Sequence, residues 1–175
     1  MSPPRLLGQI GSRMELQAEV KQDGETTLVI FKGPINGHCR AALEDVLQQL
    51  KTKACTFNLK DIEYIDSLGI RNWINFVRVV DNKHQLTFEE CCPDVVMQIN
   101  MIPEFSREAT ISSLQADYTC PRCDLEQVVE FKEVKDFEAM VDEAYGKPCP
   151  ECGAELEMDE NVESFFNFTL GRSSA

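Results

Sequence analysis

The chain has 175 residues, of which 43% are hydrophobic and 27% charged, a composition sufficient for the core of a soluble protein with one or two domains. No uninterrupted apolar run approaches the roughly 20 residues that span a bilayer, and the first residues do not make a convincing signal peptide, so we expect a soluble, cytoplasmic protein with no membrane association. The net charge is −13, and residues 115–175 contribute −10 of it, which disfavours binding of that part to the phosphates of nucleic acids.

The first part of the chain predicts a β-hairpin followed by a helix. Residues 1–13 contain two prolines and two glycines and predict a flexible leader. LQAEV and TTLVIFKG are β-like segments separated by a turn at Asp23-Gly24, which predicts a hairpin. Four apolar residues then recur at helical spacing and predict a helix over about residues 39–52.

Strands and helices then alternate along the chain. ACTFNLKDIEYID predicts a strand, and the segment after Ser67 has the apolar spacing of a helix around Trp73. HQLTFEEC predicts a short strand, Pro93 opens a third helix that ends near Pro103, and ATISSLQADYT predicts one final strand. Residues 14–114 are therefore predicted to form an α/β domain in which helices pack on a mixed β-sheet.

A second, smaller domain is predicted over residues 115–175. EQVVEFKEV predicts a strand, and the segment from Phe137 to Ala144 predicts a short helix. GKPCPECGAELEM predicts a turn that is followed by a strand. The tail NVESFFNFTL has near-helical apolar spacing, and we expect it to dock on one of the two domains. With few large apolar side chains, a module of this size needs stabilisation beyond its own core.

Two Cys-x-x-Cys pairs in this second domain predict a metal site. The pairs consist of Cys120, Cys123, Cys149 and Cys152. Two such turns provide the four thiolates of a tetrahedral zinc site, and because four thiolates leave no position for an activated water, we predict a structural Zn²⁺. A redox Cys-x-x-Cys is the alternative, but it requires a thioredoxin-like context and does not explain the second pair.

The segment that carries these cysteines resembles the zinc-ribbon class, in which two cysteine knuckles hold β-hairpins. The resemblance covers about residues 115–160 and implies a small zinc-ribbon domain. Gly153 follows the second pair, whereas Asp124 stands where many ribbons have glycine after the first pair. The class includes nucleic-acid binders and protein-binding modules, so the resemblance does not choose between these functions.

The stretch DIEYIDSLGI places Asp66 and Ser67 between a predicted strand and a predicted helix. Either side chain could cap the helix, a contribution of about 1 kcal/mol, with Gly69 allowing a tight turn. A helix N-terminus also stabilises anions, so Ser67 is a favourable position for a phosphate. Such a phosphate beside Asp66 would repel an acidic or apolar partner. The residues alone leave both interpretations open.

FNLKDIEYIDSLGIRNWINF resembles the central motif of the STAS domain, the fold of bacterial anti-sigma factor antagonists. GPINGHCRAALEDVLQQL resembles the family's preceding segment, and the order of elements is also similar. In the antagonists, a partner kinase phosphorylates the first serine of Asp-Ser-Ser-Gly, which releases that partner. The resemblance implies that Ser67 is the phosphoacceptor, with Asp66 and Gly69 as motif neighbours. Leu68 replaces the second serine of the strict motif.

These patterns together predict a non-enzymatic regulatory protein of bacterial origin. A STAS-like domain would bind a protein partner, such as a serine kinase or an anti-sigma-type regulator, around Ser67, and the zinc ribbon would extend the scaffold or recruit a second partner. The alternative is a transcription-associated adaptor whose ribbon contacts nucleic acid, although residues 115–175 contain only five Lys or Arg. A third hypothesis is an enzyme that uses Cys39, Cys91 or Cys92, thiols that we expect to be packed in the core.

Overall fold

The computed structural model describes residues 15–171, so the predicted leader over residues 1–13 lies outside the described residues. Two β-sheets and five α-helices form the described part. The strands are Gln17–Asp23 (β1), Thr26–Ile35 (β2), Ala54–Ile65 (β3), Gln85–Glu89 (β4), Thr110–Ile111 (β5), Leu114–Thr119 (β6), Glu126–Phe131 (β7) and Glu157–Met158 (β8). The α-helices are Arg40–Gln49 (α1), Ser67–Asp81 (α2), Pro93–Met101 (α3), Phe137–Ala144 (α4) and Val162–Phe165 (α5), with 3₁₀ turns at Pro103–Phe105 and Asn167–Gly171. None of the helices in this part has the length and apolar character that crossing a membrane requires.

The larger sheet is mixed, as the sequence predicts. Its strands lie in chain order from β1 to β5. β1 and β2 form an antiparallel hairpin around Gly24, whose φ of +58° suits glycine, and β2 to β5 run parallel. Parallel neighbours require crossover connections, which α1, α2 and α3 supply. The predicted α/β class with a mixed sheet is therefore confirmed.

An aromatic cluster fills the space between α2 and this sheet. Trp73 lies at its centre, fully buried, and its indole Nε1 donates a hydrogen bond to the carbonyl oxygen of Phe105 at 3.1 Å. The indole centroid is 5.3–6.2 Å from the ring centroids of Phe31, Phe57, Phe76, Phe88 and Phe105. Such ring pairs add stabilisation beyond the area they bury, so this cluster anchors α2 on the sheet.

The single strand predicted over ATISSLQADYT is wrong. The segment is divided at Ser112 and Ser113 into β5, which belongs to the larger sheet, and β6, which belongs to the smaller one. Ser112 N–H donates to the carbonyl oxygen of Phe88 at 2.9 Å, and Ser113 Oγ accepts from the N–H of Glu90 at 2.8 Å. These bonds hold the two serines against the end of β4 while the chain passes to the second sheet.

The smaller sheet is antiparallel, with the order β7-β6-β8, and the chain's tail packs beside it. Phe166 is fully buried, and its ring centroid lies 5.2 Å from that of Phe131 in β7. Asn100 of α3 donates to the carbonyl oxygen of Phe165 at 2.8 Å and accepts from the N–H of Phe168 at 2.7 Å. The tail is therefore docked, as predicted, and it contacts both parts of the molecule.

Candidate metal centre and candidate phosphoacceptor site

The four predicted cysteine ligands come together in the structure. Their sulfur atoms all lie within 4.8 Å of one another, with 3.5 Å between Cys120 and Cys152 and 3.6 Å between Cys123 and Cys149. These separations exceed the about 2.05 Å of a disulfide bond. Tetrahedral ligation with Zn–S bonds of about 2.3 Å places neighbouring sulfurs about 3.8 Å apart. The cluster therefore fits a metal ion bound by four thiolates.

The two cysteine turns have the same backbone geometry. In the first, Asp124 N–H donates to the carbonyl oxygen of Cys120 at 2.9 Å, and in the second, Gly153 N–H donates to that of Cys149 at 2.9 Å. The residue that follows the second cysteine of each pair must then reverse the chain. Both of these residues have left-handed backbone angles, with φ of +56° for Asp124 and +72° for Gly153. Aspartate is among the few residues that tolerate this conformation, so the missing glycine does not change the turn.

Backbone amides favour ionisation of one of the four thiols, that of Cys120. Burial opposes ionisation of Cys120, but hydrogen bonds from the amides of Arg122 and Cys123 and from the Cys152 thiol outweigh it and lower the pKa of Cys120 to about 7. The Leu125 amide favours the Cys123 thiolate, yet the neighbouring thiols raise the pKa of Cys123 to about 12. Because a metal ion binds all four as thiolates, its binding releases protons and weakens as pH falls.

At the start of α2, the structure assigns the capping role to Asp66. Asp66 has an extended backbone, and its Oδ1 accepts the N–H of Gly69 at 2.7 Å. Ser67 is the first residue of the helix, its side chain is exposed, and its hydroxyl makes no hydrogen bond within residues 15–171. Capping therefore explains Asp66 and leaves the Ser67 hydroxyl without a structural role in the described part of the chain.

Gly69 has a different role from the tight turn that the sequence suggests. It lies inside the helix and is buried against the end of β2. A Cβ at this position would overlap the carbonyl oxygen of Ile35, which also accepts the N–H of Asp66 at 3.1 Å. Glycine is required here because helix and strand backbones approach each other directly.

Two exposed apolar side chains, those of Tyr64 and Leu68, lie near Ser67 along the chain. Leu68 is 61% exposed and lies over Gly37, and Tyr64 is 42% exposed, with its hydroxyl accepting a hydrogen bond from Asn36 at 3.2 Å. We name Gly37, His38, Tyr64, Ser67 and Leu68 the Ser67 surface. The exposure of Tyr64 and Leu68 was not predicted from the sequence. Leu68 does carry a signal, because it lies outside the helical spacing that Trp73 and Val77 define.

The remaining cysteines are core residues. Cys39, Cys91 and Cys92 are buried, as expected, and His38 beside Cys39 is exposed. Burial raises the pKa of Cys39, and burial raises the pKa of Cys92 to about 11. Both thiols are therefore protonated at neutral pH, which makes them poor nucleophiles.

Comparison with known proteins does not identify a family. No protein-family model matches the chain, and no curated protein is significantly similar to it. The structure itself shows the mixed α/β fold and the cluster of four cysteines at metal-binding distances. The resemblances to the STAS domain and to zinc ribbons rest on sequence motifs alone.

Proposed function

We propose that this protein is a non-enzymatic regulator whose STAS-like domain, residues 14–114, binds a protein partner through the Ser67 surface. A partner serine kinase phosphorylates Ser67, and the phosphate releases the bound partner. Residues 115–175 form a zinc ribbon that holds a structural Zn²⁺ and serves as a second interaction module. The protein acts in the bacterial cytoplasm.

The observation that supports this proposal most directly is the division of roles between Asp66 and Ser67. Asp66 alone caps α2, and the Ser67 hydroxyl is exposed at the first position of a 15-residue helix. A phosphate there is stabilised by the helix dipole and adds about −1.5 to −2 charges beside the Asp66 carboxylate. The adjacent Leu68 offers an apolar contact that a partner covers only while this charge is absent.

The zinc assignment is supported by the chemistry of the donor set. Thiolates are soft ligands that favour zinc and iron–sulfur clusters, and four of them in a tetrahedral arrangement are typical of structural zinc. The two matching cysteine turns and the antiparallel sheet β7-β6-β8 fit a ribbon of this kind. Zn²⁺ in this site would link the turn after β6 to the turn before β8.

Phosphopeptide mapping tests the switch. The protein is isolated from its host with phosphatases inhibited, and the peptide containing Ser67 is examined by mass spectrometry, with a Ser67→Ala strain as the control. We expect phosphate on Ser67 that varies with growth condition. Unphosphorylated Ser67 in every condition would reject the switch.

Site-specific photo-crosslinking tests the binding surface. A crosslinker at Leu68 is compared with one at Val79, which is 39% exposed on the same helix. We expect one partner to be captured from position 68 only, and a Ser67→Asp change to abolish that capture while Ser67→Asn preserves it. Equal capture from both positions would argue against the Ser67 surface.

A further inference from the structure

A cleft of about 340 Å³ lies where the larger sheet meets the smaller one. Its polar lining comes from both parts of the molecule and includes Asn58, Glu89, Glu90, Gln115, Glu130 and Lys132. This volume lies within the range of about 300–1,000 Å³ that small-molecule sites occupy, and such sites often form between structural units. The Ser67 surface is a separate feature, and the proposed partner switch does not use the cleft.

Gln115 is the feature of this cleft that folding does not explain. The residue is only 6% exposed, and its carboxamide makes no hydrogen bond within residues 15–171. In that part of the chain, Gln98 Oε1 is the one fully enclosed side-chain nitrogen or oxygen without a partner, so the Gln115 amide is not completely enclosed, and the residue itself lines the cleft. A buried polar side chain without a partner is costly, and a ligand in the cleft would supply the missing hydrogen bonds.

The cleft is lined by three carboxylates and one ammonium group, that of Lys132. The amide nitrogen of Asn58 donates both to Glu89 at 3.1 Å and to Glu90 at 2.7 Å, and neither glutamate forms a salt bridge with another described residue. Glu130 is paired with Lys60 at 3.3 Å. The hydrogen bond that Lys60 donates to Glu130 and the charge of Glu90 raise the pKa of Lys60, which indicates a negative field at this edge.

A metal ion does not account for these glutamates. Over residues 15–171, the four cysteines are the one group of His, Cys, Asp or Glu side chains close enough together to hold a metal ion. Glu89 and Glu90 lie close enough together to accept from one amide nitrogen, that of Asn58, an arrangement suited to a cation with several N–H donors. Ammonium and guanidinium groups have three and five such donors, respectively.

We propose that the cleft binds a small organic cation through its ammonium or guanidinium group. Glu89 and Glu90 accept the N–H donors of that group, and the Gln115 carboxamide orients the remainder of the molecule. Because the ligand contacts β3 and β4 on one side and β6 and β7 on the other, its binding strengthens the junction of the two sheets.

Isothermal titration of the full, zinc-loaded protein with matched probes tests this proposal. L-arginine is compared with the neutral isostere L-citrulline, and putrescine with 1,4-butanediol. We expect one cation of the two pairs to bind at least about tenfold more tightly than its neutral counterpart, since charge-assisted hydrogen bonds are the stronger ones. Arginine binding would identify the guanidinium as the recognised group, and putrescine binding the ammonium. Absence of binding by both cations at millimolar concentration, or equal binding by the neutral probes, would overturn the proposal.

Variants then locate the site. Glu90→Gln should weaken binding of the preferred cation about tenfold, because it removes a charge-assisted hydrogen bond. Gln115→Met should weaken the same binding severalfold. Glu63→Gln is the control, because Glu63 is exposed on β3 and lies outside the cleft lining. Unchanged zinc content and circular dichroism establish that each variant is folded. Equal affinities of the Glu90→Gln and Glu63→Gln proteins would place the cation elsewhere and reject the cleft.

Discussion

The two sheets of this protein differ in how much apolar surface their strands bury. In the larger sheet, β3 buries Cys55, Phe57, Leu59 and Ile62, and the aromatic cluster around Trp73 covers its centre. In the smaller sheet, β8 has two residues, and β7 buries only Phe131 of its six. Phe166 of the tail packs on the ring of Phe131, and the four cysteine sulfur atoms, which follow β6 and precede β8, converge at metal-binding distances. We expect a metal ion bound there to supply stability that the strands of the smaller sheet do not supply themselves.

Metal removal should destabilise the smaller sheet and leave the larger sheet folded, and this is the largest effect that we expect. Structural zinc contributes about 10–16 kcal/mol in zinc-finger peptides, so a chelator should unfold the smaller sheet. The single tryptophan, Trp73, should keep its buried emission, because its contacts lie in the larger sheet. Hydrogen exchange measured by mass spectrometry follows the smaller sheet, and fluorescence follows the larger one. Loss of the buried Trp73 emission at the same chelator concentration would show that the two sheets unfold together.

Where α2 packs on the end of β2, Gly69→Ala should destabilise the protein more than any other small change. The added methyl overlaps the Ile35 carbonyl, a backbone atom that cannot move alone, and overpacking of this kind costs about 1–3 kcal/mol or more. Gly37→Ala is the matched control, since its methyl meets only the side chain of Leu68, with the nearest atom, Cδ1, at 3.2 Å, and no backbone atom. Urea unfolding followed by Trp73 fluorescence measures both. Equal midpoints for the two variants would contradict the close approach of α2 to β2.

The smallest expected effect separates the two residues at the start of α2. Asp66→Ala should cost about 1 kcal/mol, because it removes the hydrogen bond to the Gly69 amide. Ser67→Ala should change stability by less than about 0.5 kcal/mol, as is usual for exposed side chains without partners. The same urea titration compares them. A larger loss for Ser67→Ala than for Asp66→Ala would mean that the serine, and not the aspartate, supports the helix.

Much of the architecture was predictable from local pattern. Apolar residues at spacings of two and of three to four specified the strands and helices over Gln17–Met101, and Asp23-Gly24 specified the first turn. The strand over ATISSLQADYT was the exception. Its composition is uniformly strand-like, and only the hydrogen bonds of Ser112 and Ser113 to the end of β4 divide it between two sheets. Those bonds join residues more than twenty positions apart, which no local pattern records.

The sequence by itself determined the α/β class and the four cysteines of the candidate metal centre, because periodicity and a pair of Cys-x-x-Cys turns are properties of neighbouring residues. Only the tertiary structure decided which of Asp66 and Ser67 caps the helix, since both side chains suit that role and backbone geometry selects one. The tertiary structure also explains why position 69 requires glycine. It brings Asn58 and Gln115 from different sheets to one cleft. These outcomes depend on which distant backbones come into contact, and that follows from packing of the whole chain.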